Sequence, residues 1–554
     1  MTIMTLSKDE VKKIIGNLKD DEIDYQLNMA ELGVERMDDN EINLEITPNR
    51  PDLLSVQGLK RYLEAYFKKP GMVEFKVSDP GKDFKVVIDK SVKAVRPYTA
   101  CAIVKGLKFD DGKIMEIIDI QEKLHGSYGR NRKKLAIGIY PLEEIKLPIK
   151  FSARNPEEIR FQPLEFPREI NGRQILIQHP TGREYGDLLK GCEVFPVFED
   201  AAGEVLSMPP IINSEKTGKI SEKTKDIFIE CSGFHKDYLQ KTLNMIVSVL
   251  SDLGGKIYAM EIEDKVDGNW VSPDLSAEKM EFSMEGLNKL LGLELKDKEI
   301  GDLLGKMGIG MGKGGEKTFA LIPPYRTDIL HEVDLSEEVA IAYGYDNFKP
   351  EIPEISTIGE EDPVSILKRK ISDVLIGLGL LEVSSYHLST KEKQFKRIGI
   401  KEFKDKMIEV MDSKTENNIL RTSLFANSIA ILSENSDASY PQKIFELGRV
   451  FSHDEKSETG VGEEERLCVS LCSEKANFTE VKQVLDYLMR MFDVSYSIEE
   501  TTREGFIDGR CGSVIVDGKE IGFLGEVSPF VLKNNKIKMP MGVLEIGLGG
   551  FHPK

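Results

Sequence analysis

Nowhere in this 554-residue chain does an apolar run approach the length of a membrane span. The longest, Val374–Leu381, carries two glycines and stops at Glu382. So long a chain cannot share one hydrophobic core, and roughly three to five domains are expected. Hydrophobic residues make up 40% and charged residues 31%, the balance of a soluble globular protein rather than a disordered one. Ser7-Lys8-Asp9-Glu10 reads as a capped helix start with a capping box. No basic stretch leads into an apolar segment there, so the expected location is the cytoplasm, with no membrane partner. The six cysteines lack paired metal-ligand spacing and are expected to be reduced, buried thiols.

Periodicity divides the chain. Residues 1–98 open with a helix, followed by the alternating strand Ile42–Ile46, the turn-rich Thr47–Asp52 and a helix over Ser55–Phe67. Residues 99–266 carry short β-type runs: Thr99–Val104, Leu135–Tyr140, Ile175–Ile177 and Asp226–Glu230. Residues 267–350 read as a compact α/β unit ending in an acidic helix, and Glu351–Glu354 as a linker. Residues 351–554 start with a helix over Val364–Leu378 and continue as mixed strands and helices. The fold class expected is multidomain α+β. Gly308–Gly315 does not satisfy the phosphate-loop pattern, because Met307 stands where the first glycine belongs and Gly314 follows Lys313. It is expected to be a flexible turn before a strand at Thr318–Ile322.

Net charge is −19, which disfavours a surface that binds nucleic acid throughout. Residues 120–134 hold Lys123, Arg130, Arg132, Lys133 and Lys134 against a single Glu122, with Tyr128 among them. This segment suits phosphate contact or simple solvation of a turn. The segment Pro323–Val339 sets Asp334, Glu337 and Glu338 at i, i+3 and i+4, which share one helix face, with Asp328 on the chain entering it. Two readings stay open for these carboxylates: a solvated acidic face, or hard oxygen donors suited to Mg²⁺.

Arg326-Thr327-Asp328-Ile329, Asp334-Leu335-Ser336-Glu337-Glu338 and Tyr343-Gly344-Tyr345-Asp346 resemble the hallmark of the beta subunits of phenylalanyl-tRNA synthetases. Glu45–Val56 with Gly58 resembles the N-terminal signature of that family. Arg510-Cys511, Gly522–Pro529, Leu420–Leu424 and Ile444–Gly448 resemble its C-terminal module. The blocks run in order along the whole chain, and its length is similar to the archaeal and eukaryotic-cytosolic branch.

The resemblance implies an N-terminal α/β domain over 1–98 and a β-rich editing domain over 99–266. It further implies a small metal-binding domain over 267–350 and a class II synthetase-like antiparallel module over 351–554, degenerate and placed at a subunit interface. It implies Mg²⁺ held by Asp328, Asp334, Glu337 and Glu338, in a structural role. The implied partners are an alpha subunit in an α₂β₂ assembly and tRNA(Phe), with ATP and phenylalanine bound through the alpha subunit. The aromatic-Arg-x-Glu of a class II ATP clamp is missing. Glu446-Leu447-Gly448-Arg449 has the residues in the wrong order, and no Gly-x-Gly-x-Gly-x-x-Arg follows before His552-Pro553-Lys554. Synthesis is therefore expected on the partner, leaving no catalytic residue for aminoacylation on this chain.

The middle domain, by the same resemblance, would hydrolyse mischarged tyrosyl-tRNA. Val205–Ser214 and Asp226–Gly233 carry the match. A carboxylate accepting the phenolic proton separates tyrosine from phenylalanine, and Glu230 is the candidate. Ser207, Pro209, Asn213 and Ser232 would line its pocket. Related members often place Asp and Thr at the positions of Glu230 and Ser232. Glu230 at the end of an edge strand is the structural alternative, and a tRNA-binding scaffold with a decayed pocket is the functional one. A free-standing trans-editing deacylase is a more distant rival. The turn Thr47–Asp52 has no derivable role beyond a fixed geometry, with Arg50 placed to bridge Asp52 or another domain.

Overall fold

The computed structural model describes residues 2–315, 317–403 and 407–551. The expected glycine-motif comparison at His552–Lys554 lies outside them. The chain divides into two compact units, Met1–Ile352 and Pro353–Lys554, and residues 348–362 form no helix or strand.

In the first unit a three-stranded antiparallel sheet pairs Thr2–Ser7 and Gly33–Met37 on either side of Glu41–Ile46. The chain thus opens with a strand, and the helix Lys8–Ile15 follows it. Ser7 caps that helix by position only: its side chain makes no capping hydrogen bond, so the capping-box expectation fails. The edge strand's pairing to Glu41–Ile46 takes Ser7 instead, opposite Glu41. The helix Val56–Phe67 does begin with a true cap, Ser55 accepting from the Gly58 amide.

An 11-stranded mixed sheet follows. Its path runs from Ile212–Asn213 through Val205–Met208, Phe195–Glu199, Ile149–Arg154, Lys85–Ile88, Lys256–Asp264, Tyr98–Lys105 and Ile227–Gly233 to Leu135–Pro141. Val77–Ser78 and Lys85–Ile88 both pair with Lys256–Asp264, so the chain from 77 onward belongs to this sheet and a division at 98 cuts through it. The strand expected at Ile175–Ile177 is part of a helix, Gly172–Gln178. A capping box between Asn171 and Gln174 starts that helix and outweighs the β-branched run. The helix Lys236–Asp252 is buried along most of its length against Tyr98–Lys105 and Ile227–Gly233.

A second three-stranded sheet, ordered Glu278–Glu281, Lys317–Ile322, Gly310–Gly314, packs with the helices Met284–Leu291, Asp297–Lys306 and Glu332–Tyr343. Gly310–Gly314 is therefore a hairpin strand in register with Lys317–Ile322, not a flexible turn. Backbone pairing places it where propensity argues against a strand. One continuous buried cluster runs from Met4 to Ala342, so the three N-terminal divisions share a core.

The second unit is a seven-stranded sheet, antiparallel except at the short edge strand Leu381–Glu382, which runs parallel to Gln442–His453. Its central order is Gln442–His453, Val461–Cys472, Met541–Gly547, Lys519–Val527, Phe506–Val516. Helices Pro363–Gly377 and Phe478–Met491 pack into one core cluster of this sheet and Leu424–Glu434 into another. Among the described residues no helix is long and apolar enough to cross a membrane.

Candidate functional site

Glu230 is only 1% exposed. It lies mid-strand, paired with Cys101 on one side and Gly138 on the other, which excludes the edge-strand alternative. Because opposed residues in a sheet share a face, Glu230, Gly138 and Cys101 project together, with Tyr140 two residues beyond Gly138 on that face. The Tyr140 ring stacks on Phe228, centroids 5.7 Å apart, and lies across Gly138. A Cβ at Gly138 would stand 2.1 Å from the Tyr140 hydroxyl and 2.6 Å from Glu230 Oε1. Only a residue without a side chain permits that approach.

The Tyr140 hydroxyl reaches Glu230 Oε1 at 3.3 Å and Asn213 Oδ1 at 3.4 Å. Tyr140 and Asn213 sit on the two terminal strands of the sheet path. The sheet thus curls until its ends meet at the carboxyl group. Ser207, paired with Asn213, is also buried, and its hydroxyl lies close enough to that of Tyr140 to lower its pKa against the larger upward push of burial. Among the described residues neither Ser207 Oγ nor Glu230 Oε2 has a hydrogen-bond partner, although both are shut away from solvent. Buried polar atoms without partners cost free energy, so both oxygens hold unused hydrogen-bonding capacity.

Burial pushes the Glu230 carboxyl up to about 8, opposed first by the positive charge of Arg96 and then by the nearby Tyr140 and Ser232 hydroxyls. Arg96 is itself buried, which brings its guanidinium down to about 10 while Glu230 pulls the other way. Its Nε donates to Ser232 Oγ at 3.1 Å and an Nη to the Ser232 carbonyl at 2.6 Å. Ser232 is therefore committed to Arg96 rather than facing an open pocket. Pro209 is buried in the turn whose Pro210 and Ile211 carbonyls accept from Arg132. Arg132 faces inward, stacked over Tyr185, while Arg130 and Lys133 are exposed. Three successive residues, Arg130, Asn131 and Arg132, hold left-handed backbone with φ of 50°, 53° and 62°.

Glu230, Ser207 and Asn213 are thus brought together. Tyr140, Gly138 and Arg96 complete the cluster. Strand alternation could have found Gly138 and Tyr140 once their strand was paired with Ile227–Gly233. Arg96 left no local signal, since it acts across the fold.

The acidic segment forms a second cluster. Arg326, 2% exposed, donates to both oxygens of Asp328 at 2.8 and 2.6 Å and to both of Glu338 at 3.1 and 2.7 Å. Arg50 makes the same bidentate contact with Asp52, at 3.0 and 2.9 Å, stacks over Tyr62, and stands 4.0 Å from Asp328. The turn Thr47–Asp52 therefore supplies one arginine of a buried charge network whose other arginine comes from Pro323–Val339. Burial alone would raise the pKa of Asp328, but hydrogen bonds and charge from Arg326, then Arg50, outweigh it and hold the carboxyl below its usual range.

Asp334 accepts from the Leu330 and His331 amides at 2.7 and 2.8 Å, at the start of its helix. Glu337 is exposed. All four carboxylates line one cavity of about 750 Å³, together with Arg50, Arg130 and Lys134. Among the described residues no group of three or more His, Cys, Asp or Glu is arranged to hold a metal. The implied Mg²⁺ set thus fits only in part. Arginine occupies Asp328 and Glu338, leaving Asp334 and Glu337 without a cationic partner among the described residues.

Two family models match the chain. A phenylalanyl tRNA synthetase beta chain CLM domain covers residues 349–548, and a tRNA synthetase B5 domain covers 280–345. The chain is 40% identical to the phenylalanine–tRNA ligase beta subunit of Pyrococcus abyssi over 502 residues, 90% of this chain and 89% of the relative. It belongs to the phenylalanine–tRNA ligase beta-subunit family. The beta subunit of Archaeoglobus fulgidus matches at 36% identity over 558 residues, 100% of this chain and 99% of the relative. A solved N-terminal fragment of the Pyrococcus horikoshii phenylalanyl-tRNA synthetase beta subunit superposes with a TM-score of 0.58 at 34% identity. That match covers 62% of this chain and 99% of the fragment.

In the second unit, several charged and polar side chains satisfy one another. Glu446 accepts from Arg421 at 2.6 Å and from Ser385 at 2.9 and 2.8 Å. Glu545 accepts from Ser423, the Phe425 amide and Arg466. Arg449 is paired with Glu463 and Glu465.

Proposed function

We propose that this beta subunit hydrolyses mischarged tyrosyl-tRNA at Glu230, and that attachment of phenylalanine with ATP takes place on an alpha subunit with which it forms a cytoplasmic α₂β₂ complex. The observation that carries the first half is the buried Glu230 carboxyl with Oε2 unpartnered, in a cluster around Tyr140 that also holds an unpartnered Ser207 hydroxyl. At neutral pH a carboxyl whose pKa lies at about 8 is mostly protonated in the empty site, and it can both accept and donate one hydrogen bond. A tyrosine hydroxyl satisfies such a group. A phenylalanine ring leaves it orphaned, which is the arrangement that discriminates most strongly between two such side chains. Water then adds to the ester carbonyl, the bond to the tRNA ribose breaks, and the ribose oxygen takes a proton. No side chain of the cluster is assigned as general base.

The second half rests on the mutually satisfied carboxylates and arginines of the sheet in residues 353–551, which among the described residues leave no arginine pair free to clamp a triphosphate in the sequence order class II enzymes use. The family's Mg²⁺ is proposed at Asp334 and Glu337, where an ion would compete with Arg326 for Asp328 and Glu338. It would supply charge that ties the loop to the helix, and no step of the hydrolysis passes through it. Calorimetric titration with Mg²⁺ should show saturable binding that Glu337→Gln weakens; a flat titration removes the ion from this site.

The reconstituted complex carrying Glu230→Ala should deacylate tyrosyl-tRNA about 10-fold or more slowly while retaining aminoacylation. An unchanged deacylation rate leaves the scaffold reading, a decayed pocket on a tRNA-binding subunit.

A further inference from the structure

We propose that Tyr140 is a specificity-determining positioning residue: its hydroxyl fixes Glu230 through Oε1 and so presents Oε2, with Ser207 Oγ, as the pair that recognises one phenolic hydroxyl. The inference rests on the editing reading above and goes beyond it by naming what sets the orientation of the acceptor.

A carboxyl group at the centre of a strand has rotational freedom about its last torsion unless something holds it. Here the holding group is Tyr140. It reaches Oε1 at 3.3 Å and is anchored from the far edge of the sheet by Asn213 at 3.4 Å. The ring is itself fixed by stacking on Phe228 and by the bare backbone of Gly138 beneath it. With Oε1 engaged, the unused capacity of the cluster lies on Glu230 Oε2 and Ser207 Oγ. A hydroxyl offers one proton and accepts one, and a serine hydroxyl that can do both, together with a free carboxyl oxygen in the same cluster, matches that demand. The matching group on a mischarged tRNA is the tyrosine phenol. The charged or titratable groups around Glu230 are Arg96, Tyr140, Cys101 and Cys231, and of these four Tyr140 is the one that hydrogen-bonds to its carboxyl group.

The alternative role for Tyr140 is a plug that occupies the acceptor until displaced. The two roles predict opposite signs. Tyr140→Phe keeps the ring and its stacking and removes only the hydroxyl. Steady-state hydrolysis of tyrosyl-tRNA and phenylalanyl-tRNA by the α/β complex, for wild type, Tyr140→Phe and Glu230→Ala, separates them. We expect Tyr140→Phe to lower the tyrosyl-over-phenylalanyl ratio of kcat/KM about 10-fold, mainly through a raised KM for tyrosyl-tRNA, with phenylalanyl-tRNA hydrolysis unchanged. A raised ratio identifies a plug, and an equal fall for both substrates identifies a merely structural ring; either overturns the inference. A wild-type ratio in Tyr140→Phe beside a lost ratio in Glu230→Ala overturns it alone. A wild-type ratio in Glu230→Ala overturns the editing reading beneath it.

Discussion

Glu230 carries a pH signature that its replacement by glutamine should remove. Its ordinary value of 4.5 is raised to about 8 in the folded chain by burial. Between those values the native state holds a proton that the unfolded state releases. The contribution to stability is complete below about 4.5 and is lost as pH rises through about 8. Glu230→Gln has no such proton. Its melting temperature relative to wild type should therefore rise between pH 5 and pH 8.5, by an amount corresponding to a few kcal/mol at most, since a tenfold change in proton affinity is worth on the order of 1.4 kcal/mol. Thermal melts of both proteins at the two pH values check this, and parallel curves would contradict it. Arg326 is a second residue with a definite cost. Replacing it by alanine strands Asp328 and Glu338 without their shared cation, an arrangement that typically costs about 3–5 kcal/mol. Urea unfolding of Arg326→Ala should show that loss.

The strand Leu135–Pro141 decides the site at the level of elements. Its register against Ile227–Gly233 places Gly138 opposite Glu230, and a methyl group at Gly138 would displace the Tyr140 hydroxyl. Gly138→Ala should destabilise the chain by about 1–3 kcal/mol and abolish discrimination for tyrosyl-tRNA, as read by urea unfolding and by deacylation. The strands Tyr98–Lys105, Leu135–Pro141 and Ile227–Gly233 were legible because their apolar and β-branched residues fit a sheet buried on both faces. Other elements were not. Gly310–Gly314 has almost no intrinsic strand preference, and only pairing with Lys317–Ile322 makes it one. Ile175–Ile177 looks like a strand until the reciprocal cap of Asn171 and Gln174 is seen. The acidic helix Glu332–Tyr343 was legible from its spacing, but the guanidinium that occupies its carboxylates comes from Arg326, outside the helix.

Across the whole molecule, the sequence blocks that signalled the family lie in the same order along both compact units, and two of them, Thr47–Asp52 and Pro323–Val339, meet in one buried network of two arginines and three carboxylates, Asp52, Asp328 and Glu338. Their meeting was invisible in sequence because 274 positions of chain, from Asp52 to Arg326, separate them. The same holds for the Glu230 cluster, whose Tyr140, Asn213 and Glu230 are joined only when the long sheet curls on itself. Glu230 could be singled out from motif resemblance; Gly138 and Tyr140, which pack against it, could not. With Arg421, Arg449 and Arg466 each engaged by glutamates of the same sheet, the isolated chain should form no phenylalanyl adenylate in an ATP–pyrophosphate exchange assay, and should gain that activity only with the alpha subunit. The account stands most directly on single-turnover deacylation, without ATP, of preformed tyrosyl-tRNA(Phe) and phenylalanyl-tRNA(Phe) by the wild-type complex. Rapid release of tyrosine with phenylalanine retained is the predicted result, and tyrosine release at the uncatalysed rate would contradict it.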